Sequence, residues 1–252
     1  KKEMRMESDS IGTMEVPREA YYGVQALRAK QNFPITGQHL HPAFIKNLAR
    51  VKKAAAKSNE NAFMLPKDKA EAIIRACDEV IRGYFSEEFI VDAIQGGAGT
   101  SANMNMNEVL ANRANELMGK EKGNYSCIHP NDHVNMSQST NDVIPTAGKL
   151  TVLELMKPLI HELNELEQEL EKKSVEFDGI LKMGRTQLQD AVPMRLGQTF
   201  HAYATMVKRD CERLKNVSRE MYTVNLGGTA IGTAINVSPA YLSNRQDRSA
   251  GV

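Results

Sequence analysis

The sequence lacks most of the features that mark a metal, nucleotide or membrane protein. Its three cysteines, Cys77, Cys127 and Cys211, form an odd, widely spaced set with no CxxC pair. That spacing argues against a disulfide framework and a zinc site, and leaves reduced thiols that behave as small hydrophobes. No dinucleotide fingerprint or phosphate loop is present. No apolar run approaches the roughly 20 residues of a membrane span. The basic residues 1–5 lead into Glu7, Ser8 and Asp9 rather than an apolar core, unlike a secretory signal. A repeat of roughly 20 to 50 residues, the mark of a solenoid, is also missing. Neither charge dominates, since 32 basic residues face 31 acidic ones, and this balance carries no nucleic-acid footprint. The expectation is a soluble, cytoplasmic protein with no cofactor or metal and no nucleic-acid or membrane partner. A small polar or anionic ligand fits.

Helical spacing is what the sequence has in quantity. Phe44, Ile45, Leu48, Val51 and Ala55 fall on one face of a helix over 42–59, with lysines on the other face. Ile73, Ile74, Cys77, Val80 and Ile81 mark a second helix, with Pro66 just inside its start and Gly83 just past its end. A third is expected over 101–118, entered from a glycine-rich turn and closed by Gly119. Ser139-Thr140-Asn141-Asp142 then supplies capping residues for a long helix. Its stripe of Val152, Met156, Leu159, Leu163, Leu166 and Leu170 reads as the seam of a bundle. Pro158 within it predicts a kink or a boundary. The acidic residues over 162–171 read as a solvated face. After a loop over 183–193, a second long helix carries Leu196, Phe200, Tyr203, Val207, Cys211, Leu214, Val217 and Met221. A stable bundle needs roughly four helices, so two stripes leave apolar faces for further chain or identical copies to cover.

Three polar turns open helices. Gly96-Gly97-Ala98-Gly99-Thr100-Ser101 offers unobstructed backbone donors, the positive end of a helix dipole and the Thr100 hydroxyl. Ser139-Thr140-Asn141-Asp142 offers two hydroxyls and an amide, although taken alone it is read first as simple capping. Gly184-Arg185-Thr186-Gln187-Leu188-Gln189-Asp190 is rich in polar side chains, and Arg185 can brace it by pairing with Asp190. Together the three suit a dicarboxylate. His129 and His133 lie in a polar loop and read as surface histidines.

These segments, together with Asn103, Asn105, Asn107-Glu108, Tyr21-Tyr22-Gly23-Val24-Gln25 and Asn225-Leu226-Gly227-Gly228-Thr229-Ala230, resemble the aspartase/fumarase superfamily. Their wording, with Gln187 where fumarases usually carry histidine, is similar to the aspartate ammonia-lyases. The resemblance implies a mainly all-α fold, with an N-terminal helical domain over 1–140, part of a central bundle over 141–242 and a polar irregular tail over 243–252. It implies elimination of ammonia from L-aspartate to give fumarate, in a homotetramer whose active sites draw on three subunits. It assigns Thr100, Ser139 and Thr140 to the side-chain carboxylate of the substrate, Asn141 to the neighbourhood of the amino group, Thr186 to the α-carboxylate and Gln187 to orienting the amine.

The sequence also departs from the family. The Gly-Ser-Ser…Met-Pro-x-Lys-x-Asn signature that carries the base serine does not occur, so no catalytic residue is assigned here, and Ala234 replaces the second glycine of the usual Gly-Thr-Gly. The isolated chain is therefore expected to be inactive or nearly so. A fumarase-like hydratase and an inert fragment that only assembles or binds a dicarboxylate remain the alternatives.

Overall fold

A computed structural model describes residues 3–243, so all but Ser243 of the tail expected over 243–252 lies outside the described residues. The protein is mainly helical, as expected, and divides into two compact units. One holds the chain up to Thr151 and again from Val224; the other is Val152–Thr223.

The first unit begins with an antiparallel hairpin, β1 (Met4–Ser8) and β2 (Thr13–Pro17), which the helical reading had not anticipated. Helix α1 (Val24–Asn32) follows, then α2 (Pro42–Asn61), α3 (Lys67–Ile81) and α4 (Thr100–Leu117). The stripes read on α2 and α3 meet in one core containing Leu48, Val51, Ile73, Cys77, Val80, Met106, Val109 and Leu110. Burying each of the larger side chains contributes about 1.5–3 kcal/mol.

The helix ends follow local chemistry. Pro66 caps α3 from just outside rather than sitting within its first turn. After α3, Gly83 has φ +94° and Tyr84 N–H donates to the Glu79 carbonyl, closing a Schellman turn. Gly119 closes α4 likewise, with Lys120 N–H on the Asn115 carbonyl.

Helix α4 is buried on nearly every side although asparagines punctuate it. Those amides stand in for missing secondary structure. Asn105 bridges Glu88 and Ile90 backbone atoms, Asn112 bridges Tyr21 and Gly123, and Asn115 holds both backbone groups of Ile128. Surrounding loops thus satisfy their backbone by hydrogen bonding to a helix side. Glu108 does the same for α1, accepting from the N–H groups of Gly23, Gln25 and Ala26 at 2.8–3.0 Å. Burial pushes its carboxyl up to about 7, against the pull of those three donors.

One expectation on α2 fails. Lys52, read as part of a lysine face, is 0% exposed. Its ammonium donates to Asn135 Oδ1 at 2.8 Å, a partner 83 residues away that periodicity cannot see.

Helix α5 (Thr140–Glu176) starts in the first unit and runs unbroken through Pro158, so the proline marks no boundary. In the second unit the expected loop over 183–193 is instead a hairpin, β3 (Leu181–Thr186) with β4 (Gln189–Arg195), followed by α6 (Leu196–Ser218). Within this unit the Phe177 and Phe200 rings meet at a tilt with centroids 5.2 Å apart, and His201 contacts Glu171 at 3.0 Å. Ala204, Val207 and Cys211 of α6 are buried. Val152, Leu159 and Leu166 of the α5 stripe are 45–48% exposed while Met156, Leu163 and Leu170 are half-buried, so the seam is only partly covered in the single chain. Among the described residues no helix is long and apolar enough to cross a membrane.

Candidate active site

The glycine-rich turn before α4 is shaped by close approach. Gly99, the residue before the helix, has φ +91°, and a Cβ there would lie 2.9 Å from Ile144 in the first turns of α5. The starts of α4 and α5 therefore lie side by side, which brings two positive helix ends together. Thr100 is exposed at the head of α4. One inner donor is already used, because Gln95 Oε1 accepts from Ala102 N–H at 2.7 Å.

The α5 turn is capped, as the simpler reading of Ser139-Thr140-Asn141-Asp142 proposed. Ser139 Oγ accepts from Asn141 N–H at 3.3 Å and Asp142 Oδ1 accepts from Ser139 N–H at 2.9 Å, so each side chain caps the other's end of the first turn. Capping does not consume the hydroxyl protons. Thr140 Oγ1 likewise accepts, from Asn103 Nδ2 at 3.0 Å. Both oxygens serve as acceptors within the protein, which leaves both O–H protons available to donate.

Residues 225–230 complete this corner, and sequence reasoning missed how. Asp142, fully buried, accepts from the N–H groups of Gly227 and Thr229 at 3.0 Å with its second oxygen. Asn141 Nδ2 donates to the Ala230 carbonyl at 2.8 Å, and Asn225 Nδ2 to the Asn141 carbonyl at 3.0 Å. The motif's aspartate thus binds a segment 85 residues later in the chain. Its only signal in the sequence was an ordinary capping position.

Thr100, Ser139, Thr140 and Asn141 are brought together in the first unit. Thr186 and Gln187 lie in the second unit, at the tip of the β3–β4 hairpin. That tip is a two-residue turn in which Gln187 (φ +48°) and Leu188 (φ +61°) are both left-handed, and Leu188 is entirely exposed. The Arg185–Asp190 brace is present at 3.1 Å between exposed side chains. His129 and His133 have structural work: His129 Nδ1 accepts from Asn131 and Asp132 N–H groups, and His133 contacts the His129 backbone and Lys69. Burial, then the Lys69 ammonium, lowers the His133 pKa. Among the described residues no cluster of three or more His, Cys, Asp or Glu side chains is placed to hold a metal ion.

Residues 12–246 match the family model described as Lyase. Among curated relatives, the aspartate ammonia-lyase of Bacillus sp is 56% identical over 96% of this chain and 52% of its own length. That of Bacillus subtilis (strain 168) is 50% identical over 96% and 51%. Among solved structures, a fumarate lyase:delta crystallin from Brucella melitensis bound to cobalt superposes with a TM-score of 0.94 at 49% identity, covering 99% of this chain and 55% of that one. A recombinant class II fumarase from Schistosoma mansoni superposes with a TM-score of 0.90 at 35% identity, covering 99% and 53%. The chain spans about half the length of the relatives it matches.

Proposed function

This chain belongs to the lyase family, and we propose that within it the chain is part of an aspartate ammonia-lyase, supplying the carboxylate-binding half of the site. The observation that carries this reading is the pairing of the α4 and α5 starts, where Ser139 and Thr140 already use their oxygens as acceptors and so present O–H donors. Thr100 adds a third hydroxyl at the same corner. Asn141 sits beside it as the neighbour of the substrate amine, while Thr186 grips the α-carboxylate and Gln187 orients the amine.

The chemistry explains the choice of neutral donors. Removing the proton from the carbon next to the substrate's side-chain carboxylate drives a second negative charge onto that carboxylate. Donors fixed beforehand around its oxygens stabilise this enediolate more than the ground state, each by roughly 3 kcal/mol by analogy with oxyanion holes. Expulsion of ammonia then gives fumarate. The base comes from a serine-loop signature that this sequence does not contain. The partly exposed α5 stripe and the exposed, left-handed hairpin tip support assembly into a homotetramer in which other copies cover both.

Ultraviolet detection of fumarate tests the reading, with L-aspartate and L-malate run in parallel. We expect negligible turnover by the 252-residue chain and aspartate turnover when the C-terminal portion of an aspartate ammonia-lyase is co-expressed. Preference for malate would favour the fumarase-like alternative, which the likeness to the Schistosoma mansoni enzyme keeps open. Silence with both substrates after complementation would favour an inert, dicarboxylate-binding chain.

A further inference from the structure

Lys52 is buried, and among the described residues no ion pair holds it. Among the described residues its hydrogen-bond partner is an amide oxygen, Asn135 Oδ1. The same oxygen accepts from Asn103 Nδ2 at 3.2 Å, and that nitrogen's second proton goes to Thr140 Oγ1 at 3.0 Å. Asn103 is 1% exposed and its own carbonyl oxygen has no partner among the described residues. The direction of donation runs along the chain: Lys52 and Asn103 share Asn135, Asn103 donates to Thr140, and the Thr140 proton is left for another acceptor. A lysine in such a place is under-compensated, because a buried ammonium normally has a carboxylate partner.

We infer that Lys52 is a positioning residue for the anion site, holding Thr140 as a donor through Asn135 and Asn103 and supplying a buried positive charge that an incoming dicarboxylate compensates. This inference rests on the reading of that corner as a dicarboxylate site. Linkage follows from the geometry. Burial pulls the Lys52 pKa down to about 7, and Asp142 at the start of α5 offsets part of that fall. From α3 it meets Cys77, whose thiol burial pushes up to about 12 and so keeps neutral. Lys53 is paired with Asp78 at 2.5 Å. A bound dianion raises the proton affinity of Lys52, so binding takes up a proton and weakens as pH rises above about 7, by at most about tenfold per pH unit.

The test is calorimetric titration of the whole chain with succinate between about pH 6.5 and 8.5, for the unsubstituted protein, Lys52→Met, Thr140→Val and the double variant. The expected result is affinity that falls about tenfold across that range in the unsubstituted chain. Lys52→Met should bind about tenfold more weakly at the acid end, show a flat profile, and add a smaller loss in the Thr140→Val background, where only the contribution of its charge remains. A flat profile in the unsubstituted chain, or an undiminished Lys52→Met loss beside Thr140→Val, overturns the role of Lys52 and leaves the anion site standing. Absence of succinate binding by the unsubstituted chain removes the site and this inference together. Should Lys52→Met fail to fold, the pH profile of the unsubstituted chain decides alone.

Discussion

Asp142→Ala should be the most damaging single change at the corner where α5 begins. The carboxylate accepts three backbone bonds, from Ser139 at 2.9 Å and from Gly227 and Thr229 at 3.0 Å. Hydrogen bonds to a charged group contribute about 1.5–3 kcal/mol each. The sum overstates the loss, because Asn141 and Ala230 beside the site are exposed and water can reach some of the freed amides. Losing an acidic neighbour also leaves Lys52 with less compensation. We expect about 3–5 kcal/mol for Asp142→Ala. Asp142→Asn keeps the volume but turns one acceptor into a donor, and should cost about 1–3 kcal/mol. Urea unfolding followed by circular dichroism measures the totals, and amide hydrogen exchange at Gly227 and Thr229 locates them. A loss below about 1 kcal/mol for Asp142→Ala, with unchanged protection at those two amides, refutes the reasoning.

Three further outcomes are expected. Lys52 has a folded-state pKa of about 7 against an ordinary 10.5, so between those values the unfolded chain binds a proton that the folded chain lacks. Stability relative to Lys52→Met should therefore rise with pH across that window, by at most about 1.4 kcal/mol per pH unit, in paired denaturation curves; a difference that is flat or falls with pH speaks against it. Gly23→Ala places a methyl 2.7 Å from both the Glu7 carboxylate and the Tyr125 hydroxyl, and should lower stability by about 1–3 kcal/mol in thermal melts. Leu188→Gly relieves a left-handed, fully exposed leucine and should raise stability by about 1 kcal/mol, while weakening any complementation that needs the tip; a lower melting temperature contradicts the strain argument.

The helices that sequence reading found are those whose signals are local. Gly83 and Gly119 close α3 and α4 with bonds inside six residues, so both ends were legible. Helix α1 was missed because its cap comes from Glu108 and Glu7, on other elements, and nothing within residues 24–32 announces a start. The β3–β4 hairpin was read as a loop because its turn residues, Gln187 and Leu188, are not those that favour positive φ. Lys52 defeated periodicity for a similar reason, since the amide that accommodates it lies far along the chain. At the candidate site the hydroxyls were legible as cap-type residues, while the asparagine scaffold behind them and the second use of Asp142 depend on contacts that no spacing encodes.

The Asp142 clip also sets an order of events during biosynthesis. Its partners at Gly227 and Thr229 follow it by 85 and 87 residues, and residues 152–223 are made in between. At about 5–20 residues per second, roughly 4–17 s separate synthesis of the carboxylate from arrival of the amides it binds. Through that interval the start of α5 carries a carboxylate with one of its three backbone partners. The corner where α5 begins is thus a late product of translation, closed only when the chain returns to it.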